Sequence, residues 1–145
     1  MNADQQVQEH VYRFTADHGR PPASSAVASA LGIDQKEVLS AFRRIHGRRL
    51  LVLAQTGEIT MAPPFSAVPT PFRVEAGERE YFANCVWDSF GIAAALHSDA
   101  TIDASCACCG EPITLRIVER QPRPEPAVAH FAVPAAHWWD DITYT

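Results

Sequence analysis

The sequence predicts an α+β protein, and three observations predict it. Apolar residues recur at helical spacing through about the first fifty positions, turn-bounded strand-like runs follow, and the later stretch YFANCVWDSFGIAAAL reads as one further, apolar helix. With 145 residues, 47% hydrophobic and 20% charged, the chain has a globular composition and suits one ordinary domain or two small modules sharing a core. Two modules are expected: residues 1–62, joined by a proline-rich connection over 63–80 to a second small part over 81–145, built of mixed or antiparallel strands with a buried helix.

Val7, Val11 and Phe14 set the first helix from about Gln5, and GRPP ends it. Ser24 or Ser25 can cap a second helix that stops at Gly32. Asp34 can cap a third, QKEVLSAFRRIHG, that stops at Gly47. LLVLAQTGEITMA then reads as two strands about a Thr56-Gly57 turn. Three helices followed by a hairpin is a winged-helix-like arrangement. In a DNA reader the helix after Asp34 would enter the major groove, yet the first fifty residues carry only seven Lys or Arg against five acids, and four of the seven lie past the middle of that helix. With a net charge of -5 on the whole chain, DNA is not the expected partner.

PPFSAVPTP holds four prolines in nine residues, a composition for extended connecting chain and not for a helix or a central strand. Its Phe65 and Val68, with Phe72 just beyond, suit a segment lying against the surface. After a turn at EAGERE comes the apolar helix. Phe82, Val86, Phe90 and Ala93 share one face, Cys85, Asp88, Ile92 and Ala95 another, so both faces are expected to be buried or to line something. Asn84 is a good N-cap, which would put Cys85 in the first turn, where free backbone N–H groups favour a thiolate. Asp88, three residues on, is near enough to exchange a proton with it. A carboxylate among Trp87, Phe90 and Ile92 costs free energy unless something uses it.

DASCACCGEPITLRIV follows. Ser105 to Gly110 is turn-like, and Ile113, Leu115 and Ile117 alternate with polar residues as a half-buried strand. Cys106 and Cys109 have the C-x-x-C spacing of a zinc knuckle, but a tetrahedral zinc needs a second half-site that the sequence lacks, so a structural zinc is not expected. The late Phe131, Val133, Trp138 and Trp139 suggest a strand and a hydrophobic lid over the core. The six histidines show no metal-ligand spacing; His97 is placed for the C-terminal dipole of the apolar helix. No run reaches the roughly 18 apolar residues of a membrane span, and MNADQQVQEH has no signal-peptide character, so the expectation is a cytoplasmic protein with four reduced cysteines and no membrane partner.

The order YFANCVWDSFGIAAALHSDATIDASCACCGEPITLRI, then VAHFAVP and HWWDDITYT, resembles the organomercurial (alkylmercury) lyase family, and PPFSAVPTPFRV and the N-terminal module fit its short members. The resemblance implies protonolysis of a carbon–mercury bond to give a hydrocarbon and Hg(II), with the family's first catalytic cysteine at Cys85, its aspartate at Asp88 and a structural cysteine at Cys106. Mercury would rest transiently on Cys85. The family's second catalytic cysteine falls downstream of HWWDDITYT, past Thr145; Cys108 and Cys109 are the candidate substitutes. The implied substrate is a small organometallic, with no resident cofactor; external thiols would release the Hg(II), and cellular thiols or a mercuric reductase would accept it. The alternatives are a metal- or organometal-binding protein on the same scaffold without turnover, and a metal-responsive DNA-binding regulator.

Overall fold

A computed structural model of the chain describes residues 2–123 and 128–143. Helix α1 (Ala3–His18) opens with a capping box in which Asn2 Oδ1 accepts from the Gln5 backbone N–H at 2.9 Å and the Gln5 side chain accepts from the Asn2 backbone at 2.8 Å. Helix α2 (Ser24–Leu31) differs from expectation at its start. Its N-cap is Ala23, and Ser24 is the first helical residue. The orphan N–H there is met from a distance: Ser24 N donates to Glu58 Oε2 at 2.8 Å, and the Ser24 hydroxyl also bonds the Glu58 carboxylate. A capping partner 34 residues away has no local signature. Helix α3 (Gln35–Gly47) begins as predicted, with Asp34 accepting from Lys36 N at 2.7 Å.

Strands β1 (Val52–Leu53) and β2 (Ile59–Ala62) form the expected hairpin about Gly57. The proline-rich stretch is more ordered than a bare connection. Residues Phe65–Ser66 make a short strand, β3, paired to β2 on one side and to Ala83 on the other. Pro63 and Pro64 precede it, joined by a cis peptide bond, and Pro69 and Pro71 follow, so no proline sits where the ladder needs an N–H. Next come β4 (Phe72–Ala76) and β5 (Arg79–Ala83), a hairpin about Gly77. Tyr81–Ala83 is therefore strand and not the start of the apolar helix. Helix α4 (Val86–Leu96) is followed by β6 (Ala100–Ser105), β7 (Pro112–Val118) and β8 (Gln121–Arg123), and a 3₁₀ turn spans Ala135–Asp140. Trp138 and Trp139 lie in that turn and not in a late strand: the Trp138 Nε1–H donates to the Val133 carbonyl at 2.8 Å, closing the segment locally.

All strand pairs are antiparallel, in one sheet of order β1-β2-β3-β5-β4-β6-β7-β8. Three helices on a continuous antiparallel sheet with one further helix establish the α+β class. The buried side chains form two clusters. Val7, Val11, Phe42, Ile45 and Leu51 fill the first; Phe65, Val74, Ile92, Ile102 and Ile117 fill the second. Tyr12 of α1 packs against both. Its hydroxyl donates to the Pro63 carbonyl at 3.0 Å, with the Leu50 carbonyl at 3.2 Å, and the Tyr81 hydroxyl donates to Ala16 O at 2.7 Å. Helix α1 is thus pinned to the second cluster at both Tyr12 and its last turn.

Its C-cap, Gly19, makes that docking close. With φ of +84°, Gly19 lies in the left-handed region, and a Cβ there would stand 2.6 Å from the Glu80 carbonyl oxygen of β5. Gly19→Ala should therefore lower the melting temperature, by the about 1–2 kcal/mol of a left-handed non-glycine residue and further because backbone must move away from backbone. An unchanged melting curve would show that α1 does not seat on β5 as described.

Candidate active site

Helix α4 approaches the strand lead-in very closely. A Cβ on Gly91 would lie 3.0 Å from Pro64 Cβ, so glycine lets the helix lie against the proline pair while Ile92 and Ala93 enter the second cluster. The helix starts one residue later than predicted. Cys85, not Asn84, is the N-cap, with extended φ and ψ of -152° and 179°. Asn84 is instead drawn to the carboxylate: its Nδ2 donates to Asp88 Oδ2 at 3.0 Å, and its Oδ1 is buried without a partner among the described residues. The Ser89 hydroxyl donates to the Cys85 carbonyl at 3.1 Å and adds to the first turn.

Cys85 and Asp88 are both half-buried and line the same cavity, and each shifts the other's pKa. Burial raises the Asp88 pKa, while hydrogen bonds from Asn84 and Cys85 oppose the rise. Burial also raises the Cys85 pKa; the Asp88 charge adds to the rise, and the backbone N–H groups of Asp88 and Trp87 oppose it. The prediction that the helix start favours a thiolate is therefore corrected: desolvation outweighs the amide field, and the resting sulfur is a thiol. Tyr12, which no sequence signal marks as part of a site, comes within the field of Asp88. Burial, and secondarily that carboxylate, push its hydroxyl up to about 12, so it remains a hydrogen-bond donor.

Both residues line a cavity of about 610 Å³, with Asn84, Trp87, Trp138 and Trp139 among its walls. Trp138 and Trp139, expected in a lid over the core, stand on the wall of this cavity from a 3₁₀ turn. The predicted second face of α4 is not buried throughout, since Ala95 is exposed; Trp87, on neither predicted face, is 63% exposed. Cys106 and Cys108 line a neighbouring cavity of about 600 Å³ that shares Phe72, Val86 and His130 with the first. Neither Cys108 nor Cys109 lines the cavity of Cys85, so the structure does not bring either candidate substitute to it. All four cysteines are free, with Cys108 and Cys109 exposed. Backbone N–H groups of Cys109 and Cys108, and then the Cys109 side chain, lower the Cys106 pKa. Among the described residues no three His, Cys, Asp or Glu side chains are grouped to hold a metal ion. His97 is the C-cap of α4, its backbone N–H bonding the Ala93 and Ala94 carbonyls, and Arg120 donates to its Nδ1 at 3.3 Å.

The family model for MerB, alkylmercury lyase, matches residues 65–145, more than half of the chain. The chain belongs to the alkylmercury lyase family. The mercury-bound form of MerB2 is similar in fold, with a TM-score of 0.64 and 24% identity over 83% of this chain and 59% of that one. The chain thus spans about three-fifths of that relative's length. No curated protein matches it. The matched residues include Cys85, Asp88 and the Cys106–Cys109 turn, whereas Tyr12 and the cavity residues Met61 and Pro63 lie outside them.

The raised Asp88 pKa makes a signed prediction for the lyase-family site. The folded chain holds this proton more tightly than the unfolded chain, so the stability it contributes is fully present below the ordinary carboxylate value and is lost as pH rises from there through the raised folded value. Asp88→Asn has no charge to desolvate. Its melting temperature relative to the parent should therefore be higher at about pH 7 than at about pH 4. A difference that does not change with pH, or that shrinks as pH rises, would show that burial does not penalise this carboxylate.

Proposed function

We propose that the protein is an organomercurial lyase that cleaves a carbon–mercury bond by protonolysis, with Cys85 as the metal-binding thiol and Asp88 as the proton carrier. The observation that carries this reading is the thiol–carboxylate pair itself. Two groups of raised pKa, the N-cap and the third residue of one helix, face a cavity walled by indoles. Such a pair suits a reaction that must move one proton from sulfur to carbon.

The chemistry follows from the weakness of a carbanion as a leaving group. Soft mercury takes a soft sulfur ligand. As the Cys85 sulfur bonds to the metal of R–Hg–X, X⁻ departs and the thiol proton passes to the Asp88 carboxylate, which acts as base. A second thiolate, from a small-molecule thiol, raises the electron density at the metal and makes the carbon more basic. Asp88 then returns the proton to carbon as the carbon–mercury bond breaks, giving R–H and Hg(II) held by sulfur. Its raised pKa serves the second step, because a carboxylic acid that survives nearer neutrality is the better matched donor. Asn84 holds the carboxylate toward the thiol, and exchange with solution thiols would release Hg(II) to cellular thiols or a mercuric reductase.

Headspace detection of hydrocarbon from an alkyl- or arylmercury salt with excess thiol tests the activity. Cys85→Ser should lose both turnover and stoichiometric retention of the mercurial at this site. Asp88→Asn should still bind mercurial at Cys85, while single-turnover hydrocarbon release falls by the roughly 10² to 10⁴ of a general acid–base group. Unchanged release from a normally folded Asp88→Asn chain would remove the mechanism.

A further inference from the structure

The β6–β7 turn carries chemistry that the Cys85 site does not use. It is a tight loop: the Cys106 N–H donates to Glu111 O and the Gly110 N–H to Cys106 O, each at 2.8 Å, and Gly110 turns the chain at φ of +75°. Within it Cys106 opens the turn and Cys109 directly precedes the glycine that closes it. The closed turn thus carries both thiols of the C-x-x-C on one short loop, the arrangement of one half of a metal knuckle. Cys109 is exposed and Cys106 is half-exposed, so an incoming ion can reach both.

We propose that Cys106 and Cys109 form a second, two-thiolate site for a soft metal ion, and that on the lyase reading this site takes Hg(II) from Cys85. The donor set selects the metal class. Among the described residues no third His, Cys, Asp or Glu side chain converges on the pair, which leaves a tetrahedral zinc incomplete but satisfies an ion content with two sulfurs in line. The position also suits transfer, because the cavity lined by Cys106 shares Phe72, Val86 and His130 with the cavity of Cys85. Transfer is ligand exchange without redox change: each mercury–sulfur bond formed at Cys106 or Cys109 replaces one to Cys85 or to a solution thiol, and the departing thiolate takes up the proton that the incoming thiol sheds.

The test uses HgCl₂ on the full chain in the Cys85→Ser background, with a competing small thiol present. Native mass spectrometry reads stoichiometry and ultraviolet charge-transfer absorbance reads sulfur ligation. The background variant should keep one Hg(II) per chain with a two-thiolate spectrum. Adding Cys109→Ser should weaken retention by more than about a hundredfold, because one of the two soft metal–sulfur bonds is lost. Adding Cys108→Ser should leave it unchanged. No retention in the background variant would overturn the proposal, as would loss that follows Cys108 and not Cys109. Because HgCl₂ has no carbon–mercury bond, absence of lyase activity would leave this result standing, and an active lyase that fails here would overturn the second site alone.

Discussion

The arrangement of this molecule depends on a carboxylate kept partly out of water. Asp88 cannot be half-buried at no cost, since burial penalises its charged form. The surroundings offset that penalty in three ways. Asn84 supplies a donor at 3.0 Å, the Cys85 thiol supplies another, and the start of α4 offers the positive end of a helix dipole. Each compensation constrains something else. Asn84 gives its side chain to the carboxylate and not to the helix, so the cap position passes to Cys85. Helix α4 must also be held by its far side, which is why the Gly91 contact with Pro64 and the burial of Ile92 matter to a site neither residue touches.

Helix α1 extends this dependence to the N-terminal part. Two separate hydrophobic clusters would leave the helices free to move against the sheet, but Tyr12 belongs to both, and its hydroxyl and that of Tyr81 bond backbone on the opposite side of the divide. The strands continue the same connection, because β3 joins the β1–β2 hairpin to β5. Tyr12 therefore reaches the field of Asp88 from a helix that a reading of the apolar α4 stretch alone would assign to a remote scaffold. The basic residues of α3 are partly engaged as well: Arg44 pairs with Asp4 at 2.7 Å, and Arg48 lies 3.9 Å from the same carboxylate. Charge committed to an internal partner is less available for phosphates.

The sequence exposed those features whose causes are local. Asp34 caps its helix because the side chain needs only the next turn, and the strand through Ile113, Leu115 and Ile117 shows its alternation directly. The Cys85–Asp88 spacing was legible for the same reason: an N-cap residue and the third residue of the helix it caps lie beside each other. What stayed hidden was set by distant partners. Ser24 is met by Glu58 from the hairpin, Phe65–Ser66 becomes a strand because β2 and β5 lie on either side, and Asn84 answers to Asp88 instead of to the backbone. Tyr12 carries no signal at all, because a tyrosine next to Val11 on an amphipathic helix looks the same whether it faces solvent or another core. The tryptophans of the late segment suggest by hydrophobicity a cover for the core, whereas they stand on the wall of the Cys85 cavity, and their 3₁₀ geometry depends on a bond from Trp138 to Val133 that hydrophobicity alone does not specify.

The protonation pattern of the pair explains why a site for a thiophilic metal need not hold a standing thiolate. A thiolate beside a buried carboxylate would place two negative charges in a partly desolvated cavity, and both directions of shift, each set first by burial, act against that state. With one shared proton the pair carries a single negative charge before metal arrives. A metal bonding to Cys85 then replaces the proton on sulfur, and Asp88 receives it, so neutral acid and metal-bound sulfur coexist without a second buried charge. When carbon takes the proton, the charge returns to the carboxylate, where Asn84 already waits as a donor. The same desolvation that makes the resting pair costly thus keeps the proton within the pair and favours its delivery to the bond that breaks.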